Sequence, residues 1–541
     1  MASPAGAMIS MEEREKLVAL FNAGQHVALE QWANDLIKRF PADGFAWKLL
    51  GASQYMRGQA CLHALGCAVA LSPDDVECLN LLGSAQMKHG LLAQAESSFF
   101  QALRIQPDYA GAHFNLALAL CALERPMEAE ACCRRAIELR PAFADAFCQL
   151  GRVLETMQRG EESEVCHRRA LALRPDFVEA HTCLGSALKF LNRLDEAEAC
   201  FRRALEIDPG YVEASSNLLF MHNYTLSCSP AARLEDARRH GAILARQVPA
   251  PLAARPAGAT PSRLRVGLVS GDLHSHPVGF FLEAVLARID PARIELFAYP
   301  TRNKTDALTM RIQPQFACWR PLTGLGDEAA ARLIHDDAID LLIDLSGHTA
   351  HNRLAVFAWR PAPVQASWLG YFATTGVRQM DYLIADAWTL PASEEAFFTE
   401  RIWRLPETRL CFTVPEVDIP VSPLPALSNG YVTFGCFNDL GKITDTVVAL
   451  WARVLAGVPK SRLFLKSKQF GTASARQMEL ERFAAHGIDN DRLILEGHSP
   501  RPHYLAAFSR VDIALDPLPL SRRDDKRRGF VDGGADTDPG R

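Results

Sequence analysis

The sequence has few cysteines, no long apolar run and nearly balanced charge. Fourteen cysteines among 541 residues are too few for a disulfide-stabilised scaffold, and no two have the two-residue spacing typical of a zinc knuckle. No stretch reaches about 18 uncharged apolar residues, so no membrane-spanning helix is predicted. The formal net charge of -5 excludes a general attraction to nucleic acid or to anionic membranes.

The composition is that of a folded protein with several domains. Hydrophobic residues make up 48% of the chain and charged residues 22%, which excludes general disorder. At roughly 150 residues per domain, the length predicts three to four domains. The opening residues, MASPAGAMISMEEREKL, lack the apolar segment of a secretion signal. We therefore expect a cytoplasmic protein whose thiols are reduced.

The N-terminal half repeats itself every 34 residues. Prolines recur at this spacing, as do small residues, and the apolar residues between them have helical spacing. The prolines are Pro73, Pro107, Pro141, Pro175 and Pro209, and one set of small residues is Gly83, Ala117, Gly151 and Gly185. This is the period of the tetratricopeptide repeat, in which two antiparallel helices approach closely and a proline ends the second helix. We predict an α-solenoid of about six such repeats over residues 8–227.

A tetratricopeptide array presents a concave groove that binds peptides or other proteins. Asn115 and Asn217 share one repeat position, where a side-chain amide can bond the backbone of a protein acceptor. Their counterparts are Leu81, Gln149 and Cys183, so a continuous ladder of amides is absent. The two asparagines are either contacts to an acceptor in the groove or locally bonded polar groups.

The chain changes character after the repeats. Residues 228–262 predict a capping helix followed by a linker rich in Pro, Ala and Arg. Beyond them, apolar segments alternate with helical ones, which is typical of parallel sheets covered on both faces. Strands are predicted at Leu264–Ser270, Ile294–Tyr299, Ile339–Gly347, Tyr431–Cys436, Arg462–Leu465, Arg492–Leu495 and Val511–Leu515. Two doubly wound domains, residues 263–420 and 428–520, are expected to bind ligands beyond the carboxyl ends of their strands.

Five segments, in a fixed order, carry a family resemblance. They are VSGDLHSHPVG at Val269–Gly279, DLSGHTAHNRLAVFAWRPAPVQASWLGY at Asp344–Tyr371, MDYLIAD at Met380–Asp386, FGCFNDLGKI at Phe434–Ile443 and VDIALDPLP at Val511–Pro519. With the repeats, they make the chain resemble the bacterial, SPINDLY-like O-linked N-acetylglucosamine transferases. The resemblance implies a glycosyltransferase B fold whose second domain binds the nucleotide sugar. It also implies transfer of N-acetylglucosamine from its UDP sugar to Ser or Thr of proteins, with inversion and without a metal or other cofactor.

The resemblance assigns roles to individual residues. Lys442 matches the lysine that contacts the diphosphate, where an ammonium offsets charge on the leaving group. His276 matches the histidine of the sugar pocket, either as a base or as a group that positions the donor. These two are the predicted catalytic residues. The predicted donor-binding residues are Leu369, Gly370, Arg501, Tyr504, Asp439 and His348. No metal site is predicted, because His348, His351 and Asn352 lack a further ligand set.

The sequence departs from the family pattern at two places close to the predicted site, a loop and a single residue. Many relatives continue after Gly370 with Tyr-Pro-Gly-Thr, whereas this chain has Tyr371 followed by Phe-Ala-Thr. Asp439 stands where relatives often carry an amide. Its carboxylate would repel a diphosphate unless it points away or pairs with Lys442.

The last segment departs more strongly. Relatives continue into Gly-Gly-Thr-Thr and a helix that cradles the diphosphate, but residues 521–541 have little apolar content and predict a disordered tail. Codons can be chosen for Arg522–Pro539 that encode the family motif when displaced by one nucleotide. This observation predicts a frameshift near Leu520, an incomplete second domain and doubtful activity. The alternative functions are a non-catalytic tetratricopeptide scaffold with a degenerate transferase domain, or a transferase that uses another sugar or an asparagine acceptor.

Overall fold

The computed structural model describes residues 8–225, 228–253, 263–415, 419–517 and 535–536. It consists of two compact units, Met1–Leu184 and Gly185–Arg541. Among the described residues, no helix combines the length and the apolar content needed to cross a bilayer.

The repeat helices are α1 (Met11–Asn22), α2 (His26–Arg39), α3 (Gly44–Met56), α4 (Leu62–Leu71), α5 (Val76–Lys88), α6 (Leu92–Ile105), α7 (Ala110–Ala122), α8 (Pro126–Leu139), α9 (Ala144–Thr156), α10 (Gly160–Leu173), α11 (Val178–Phe190), α12 (Leu194–Ile207) and α13 (Val212–Met221).

The periodic prolines fix the ends of the even-numbered repeat helices from α4 to α12. Each of these helices stops two residues before its proline; α6, for example, ends at Ile105 and is followed by Pro107. A proline lacks the amide hydrogen that would continue the ladder, and its ring clashes with the preceding turn. The predicted repeat architecture is therefore confirmed.

The periodic small residue is explained by the side chain that faces it on the second helix of the repeat. A Cβ atom on Gly83 would lie 2.6 Å from the ring of Phe99, which is fully buried. In the next repeat, where Ala117 takes the place of the glycine, the residue at the same spacing is the smaller Cys133. Helix separation in the array is thus set by matched residue sizes across each helix pair.

Two parallel sheets follow the repeats. The elements of the first are α14 (Pro230–Gln247), β1 (Leu264–Ser270), α15 (Pro277–Leu286), β2 (Ile294–Pro300), α16 (Ala307–Ile312), β3 (Cys318–Trp319), α17 (Asp327–Asp336), β4 (Leu341–Asp344), α18 (Leu354–Ala358), β5 (Val364–Ser367), β6 (Tyr382–Asp386) and β7 (Arg401–Leu405). Those of the second are α19 (Ala426–Asn429), β8 (Thr433–Cys436), α20 (Asp445–Gly457), β9 (Arg462–Lys466), α21 (Ala473–Ala484), β10 (Leu493–Glu496), α22 (Arg501–Ala506), β11 (Ile513–Ala514) and β12 (Ala535–Asp536).

The strand orders are those of doubly wound folds. The first sheet runs β3-β2-β1-β4-β5-β6-β7 and the second β10-β9-β8-β11-β12. The order reverses beside β1 in one sheet and beside β8 in the other, and such reversal points form crevices that bind ligands. Apolar side chains cover both faces of the first sheet, for example Leu342 on one face and Leu268 on the other. The predicted fold class, helical repeats followed by parallel α/β domains, is confirmed.

Some sequence-based boundaries need correction. The strand predicted to reach Gly347 ends at Asp344, because the Asp344 carboxylate accepts hydrogen bonds from the amides of Ser346 and Gly347 and turns the chain. Strands β3, β5, β6, β7 and β12 were not predicted.

The predicted capping helix is α14, and it packs into the core of the first sheet through Leu244. Residues 254–262 of the predicted linker lie outside the described residues. Of the tail, only residues 535–536 are described, paired with β11, so the predicted disorder, frameshift and incomplete second domain stay predictions.

The size match across the repeat predicts opposite effects for two glycine substitutions. Gly83→Ala gains up to about 1 kcal/mol of helix propensity but overpacks the Phe99 ring, which typically costs about 1–3 kcal/mol, so it should destabilise the chain. Gly66→Ala in α4 has open space around its Cβ and should stabilise the chain slightly. Urea unfolding followed by circular dichroism measures both, and equal shifts would contradict the size-matching account.

Candidate functional site

A cavity of about 570 Å³ lies beyond the carboxyl ends of strands from both sheets. Its walls include the loops after β1, β5, β8 and β9, together with residues that follow α13. Four residues predicted from the sequence line it: Lys442, His276, Leu369 and Gly370. Asp272, Arg409 and Lys468 also line it and were not predicted.

Lys442 is held by the turn that follows β8. A short 3-10 helix, Leu440–Lys442, begins at Asp439, whose side chain accepts a hydrogen bond from the Gly441 amide. The Lys442 residue is only 7% exposed, and its Nζ donates to Asn438 Oδ1 at 3.4 Å. Burial of an ammonium costs free energy that an anion beside it would offset, so this position suits a phosphate group.

Asp439 does not line the cavity among the described residues. Its Oδ1 accepts from Gln469 Nε2 at 2.8 Å as well as from the Gly441 amide. The carboxylate is thus engaged by amide donors at the start of the Lys442 turn, and it acts there as a capping group.

His276 is the N-cap residue of α15, and Asp272 lies four residues before it in the chain. The Val278 amide donates to His276 Nδ1 at 3.4 Å, and Asp272 Oδ2 is 3.6 Å from the same nitrogen. Burial raises the pKa of Asp272 to about 6, although Arg302 and Lys304 oppose the shift. A carboxylate directly after a buried strand, in GDLHSHP, was the sequence signal that could have identified Asp272.

Leu369 and Gly370 form a tight backbone segment after β5. Leu369 has a left-handed φ of 73°, which costs a non-glycine residue roughly 1–2 kcal/mol. A Cβ on Gly370 would lie 2.0 Å from the Leu345 carbonyl oxygen, so only glycine fits. Arg409 Nη1 donates to the Leu369 carbonyl at 3.1 Å and holds the strained segment in place.

His348 is buried and does not line the 570 Å³ cavity among the described residues, so its contact with the donor stays a prediction. Its Nδ1 is 2.9 Å from Ser216 Oγ, and its Nε2 is 3.0 Å from the Thr375 carbonyl oxygen. Burial and the neighbouring His240 lower its pKa well below the usual value. The ring packs edge-on against Tyr371, with 5.2 Å between centroids, so His348 supports the cavity wall from behind.

Arg501 and Tyr504 are on α22 and do not line the cavity among the described residues. The Arg501 guanidinium lies 3.5 Å from the centroid of the Phe280 ring. Tyr504 donates its hydroxyl to the Phe437 carbonyl at 3.3 Å, in the segment that leads to Lys442. Their contact with the uracil stays a prediction.

The two asparagines of the repeats have different surroundings. Asn115 donates to Asn80 Oδ1 at 2.9 Å and to Ser84 Oγ at 3.3 Å, which is the locally bonded alternative. Asn217 lines a second cavity, of about 350 Å³, together with His348. Contact of either asparagine with a protein acceptor stays a prediction.

Residues at the end of the repeats complete the wall of the 570 Å³ cavity. Phe220, Asn223 and Tyr224, which end or follow α13, all line it. Asn223 Nδ2 donates to the Tyr371 hydroxyl at 3.2 Å. All three fall within the predicted repeat array, residues 8–227, and nothing in their local sequence indicates a role beside the strand ends.

Comparison with known proteins decides the family. A profile of glycosyl transferase family 41 matches residues 228–413, and tetratricopeptide profiles match residues 80–144 and 178–211. A solved structure of a lysine-to-methionine mutant of Thermobaculum terrenum O-GlcNAc transferase is 32% identical, with a TM-score of 0.75. The match covers 79% of this chain and 82% of that one. This chain belongs to the O-GlcNAc transferase family.

Eukaryotic members of the O-GlcNAc transferase family match a smaller region. A probable UDP-N-acetylglucosamine–peptide N-acetylglucosaminyltransferase SPINDLY from Petunia hybrida is 41% identical over 48% of this chain. The UDP-N-acetylglucosamine–peptide N-acetylglucosaminyltransferase of Caenorhabditis elegans is 31% identical over 35% of this chain. The matches span 28% and 17% of those proteins. The family resemblance carried by the five sequence segments is confirmed.

Because the backbone approaches Gly370 closely, adding one methyl group there should lower the free energy of unfolding strongly. Gly370→Ala places Cβ against the Leu345 carbonyl, and backbone cannot move aside as a flexible side chain can. We expect a loss near the upper end of the about 1–3 kcal/mol typical of overpacking. Gly457→Ala at the end of α20, where the space is open, is the control. Equal free energies of unfolding for the two variants would contradict the close approach of the loops after β4 and β5.

Proposed function

We propose that this chain binds UDP-N-acetylglucosamine in the 570 Å³ cavity and transfers the sugar to Ser or Thr of a protein. The observation that carries the proposal is a buried lysine, Lys442, at the strand-end crevice, in one cavity with His276 and the Leu369–Gly370 segment. Membership of the O-GlcNAc transferase family and the activity for which its relatives are named support the choice of donor and acceptor.

Lys442 is proposed to bind the diphosphate. As the bond between the anomeric carbon and the diphosphate oxygen breaks, negative charge grows on UDP, and a nearby ammonium stabilises that charge most in the transition state. Lys468, which lines the same cavity, adds a second cation. We propose that these side chains do what a metal ion does in other nucleotide-sugar transferases, so that the reaction needs no metal.

His276 and Asp272 are proposed to handle the sugar and the proton. The acceptor hydroxyl attacks the anomeric carbon from the face opposite the diphosphate, which inverts that centre. The hydroxyl must lose its proton as the new bond forms. A neutral His276 imidazole can take that proton, and the carboxylate of Asp272, 3.6 Å from His276 Nδ1, stabilises the positive charge that then forms on the ring.

Protein acceptors are proposed to be held by the tetratricopeptide repeats, since such arrays bind peptides along a concave surface. Phe372 is 37% exposed and lines the cavity, in the loop where this chain departs from the family pattern. We propose that this aromatic residue contributes to acceptor preference.

The lysine is tested by calorimetric titration with UDP. Lys442→Met keeps the length of the side chain and removes the charge. Loss of a hydrogen bond to a charged group costs about 1.5–3 kcal/mol, so UDP should bind about 10- to 100-fold more weakly. Lys460→Met, at an exposed position of the same domain, should bind normally. Absence of detectable heat with the unaltered chain at millimolar UDP would leave only the scaffold alternative.

The carboxylate is tested by the pH dependence of radiolabelled transfer from UDP-N-acetylglucosamine to protein. Asp272 is protonated below about pH 6 and ionised above it, so transfer should rise as pH increases through about 6. Asp272→Asn should remove this inflection and lower the rate by about 10²- to 10⁴-fold, the usual contribution of proton transfer. Asp336→Asn, exposed on α17, should keep it. An unchanged inflection in Asp272→Asn would assign the titration to another group.

A further inference from the structure

Three side chains from successive repeat helices converge in the first compact unit. Cys148 is on α9, His167 on α10 and Cys183 on α11. One ligand atom of each, a sulfur or a ring nitrogen, lies within 4.8 Å of the others. Two thiols and an imidazole form a donor set that is typical of zinc sites in proteins.

The imidazole of His167 is the unusual member of this cluster. Its side chain has no exposed surface, and neither ring nitrogen makes a hydrogen bond of normal length; its polar neighbours are the Cys148 thiol and the Glu155 carboxylate. The same repeat position holds Phe99, Cys133 and Phe201 in the other repeats, none of which leaves a strongly polar atom unsatisfied there. A buried polar group that lacks a full hydrogen bond costs up to about 1–3 kcal/mol, and a metal ion bound to a ring nitrogen would offset that cost.

The surroundings hold the imidazole against the two thiols. A Cβ on Gly151 would lie 2.4 Å from the ring of His167, so this glycine makes the space that the ring fills. Glu155 Oε1 is 3.7 Å from His167 Nε2, the position of a carboxylate that orients a metal-bound histidine. Cys183 is partly exposed and provides a path for an ion to enter.

We propose that Cys148, His167 and Cys183 bind one Zn²⁺ ion that ties three helices of two adjacent repeats together. Ligand atoms around a tetrahedral zinc are about 3.5–3.8 Å apart, given the usual bond lengths. Shifts of about 1 Å therefore bring the three atoms to the ion, and the fourth position is left to water. The ion stabilises the repeat array and takes no part in sugar transfer, so the proposal does not depend on the proposed function.

The site is tested with Co²⁺ as a spectroscopic probe on the reduced, metal-free full chain. We expect one Co²⁺ per chain, a thiolate-to-cobalt absorption band, and loss of that band when Zn²⁺ is added. Cys148→Ser should remove most of the band. Cys132→Ser, which alters a partly buried thiol outside the cluster, should leave it unchanged.

His167→Phe is the decisive variant because it recreates the Gly83–Phe99 pair at Gly151, and it should therefore keep the helix content. It should bind Co²⁺ more than about 100-fold more weakly, since a direct ligand is lost where even outer-shell partners contribute 10- to 100-fold. Zn²⁺ should raise the Tm of the unaltered chain but not that of this variant. Absence of the band in the unaltered chain would overturn the proposal. So would a band in the Cys148→Ser and His167→Phe variants that is as strong as in the unaltered chain, or a Cys148–Cys183 disulfide in place of metal binding.

Discussion

The candidate site depends on the direction of the strands. Every described strand pair in both sheets is parallel, so the loops that follow the strands gather at one edge of each sheet. Register aligns them further: Val269 of β1 pairs with Asp344 of β4, which pairs with Ser367 of β5. The segments containing His276 and Leu369 therefore leave their sheet at one level and reach the same cavity.

Close backbone contacts between the loops then fix the position of one wall of the cavity. The loops after β4 and β5 meet where Gly347 faces Tyr371 and Gly370 faces the Leu345 carbonyl. Neither contact leaves room for a Cβ atom on the glycine. The backbone therefore fixes the position of the cavity wall, and side chains modify only its surface. Asn223 extends the wall by binding the Tyr371 hydroxyl, and this is why the end of the helical repeats contributes to a crevice built by sheets.

The sequence predicted features that depend on period or on position along a strand. The 34-residue period located the repeat helices, the ends of buried strands indicated which loops to search, and the family resemblance assigned Lys442 and His276 within those loops. It could not predict contacts between distant segments. His348 lies against Ser216 and His240, which are more than a hundred residues earlier in the chain, and no sequence pattern indicated these contacts. The cluster of Cys148, His167 and Cys183 was missed because its members meet only when helices stack.

We propose that Lys442 binds the diphosphate where the strand ends of the two sheets meet. A crystal structure of the chain with bound UDP tests this claim most directly. The account predicts a diphosphate oxygen within about 3 Å of Lys442 Nζ, inside the cavity bounded by His276 and Gly370. UDP seated elsewhere, for example in the 350 Å³ cavity lined by Asn217, would contradict it.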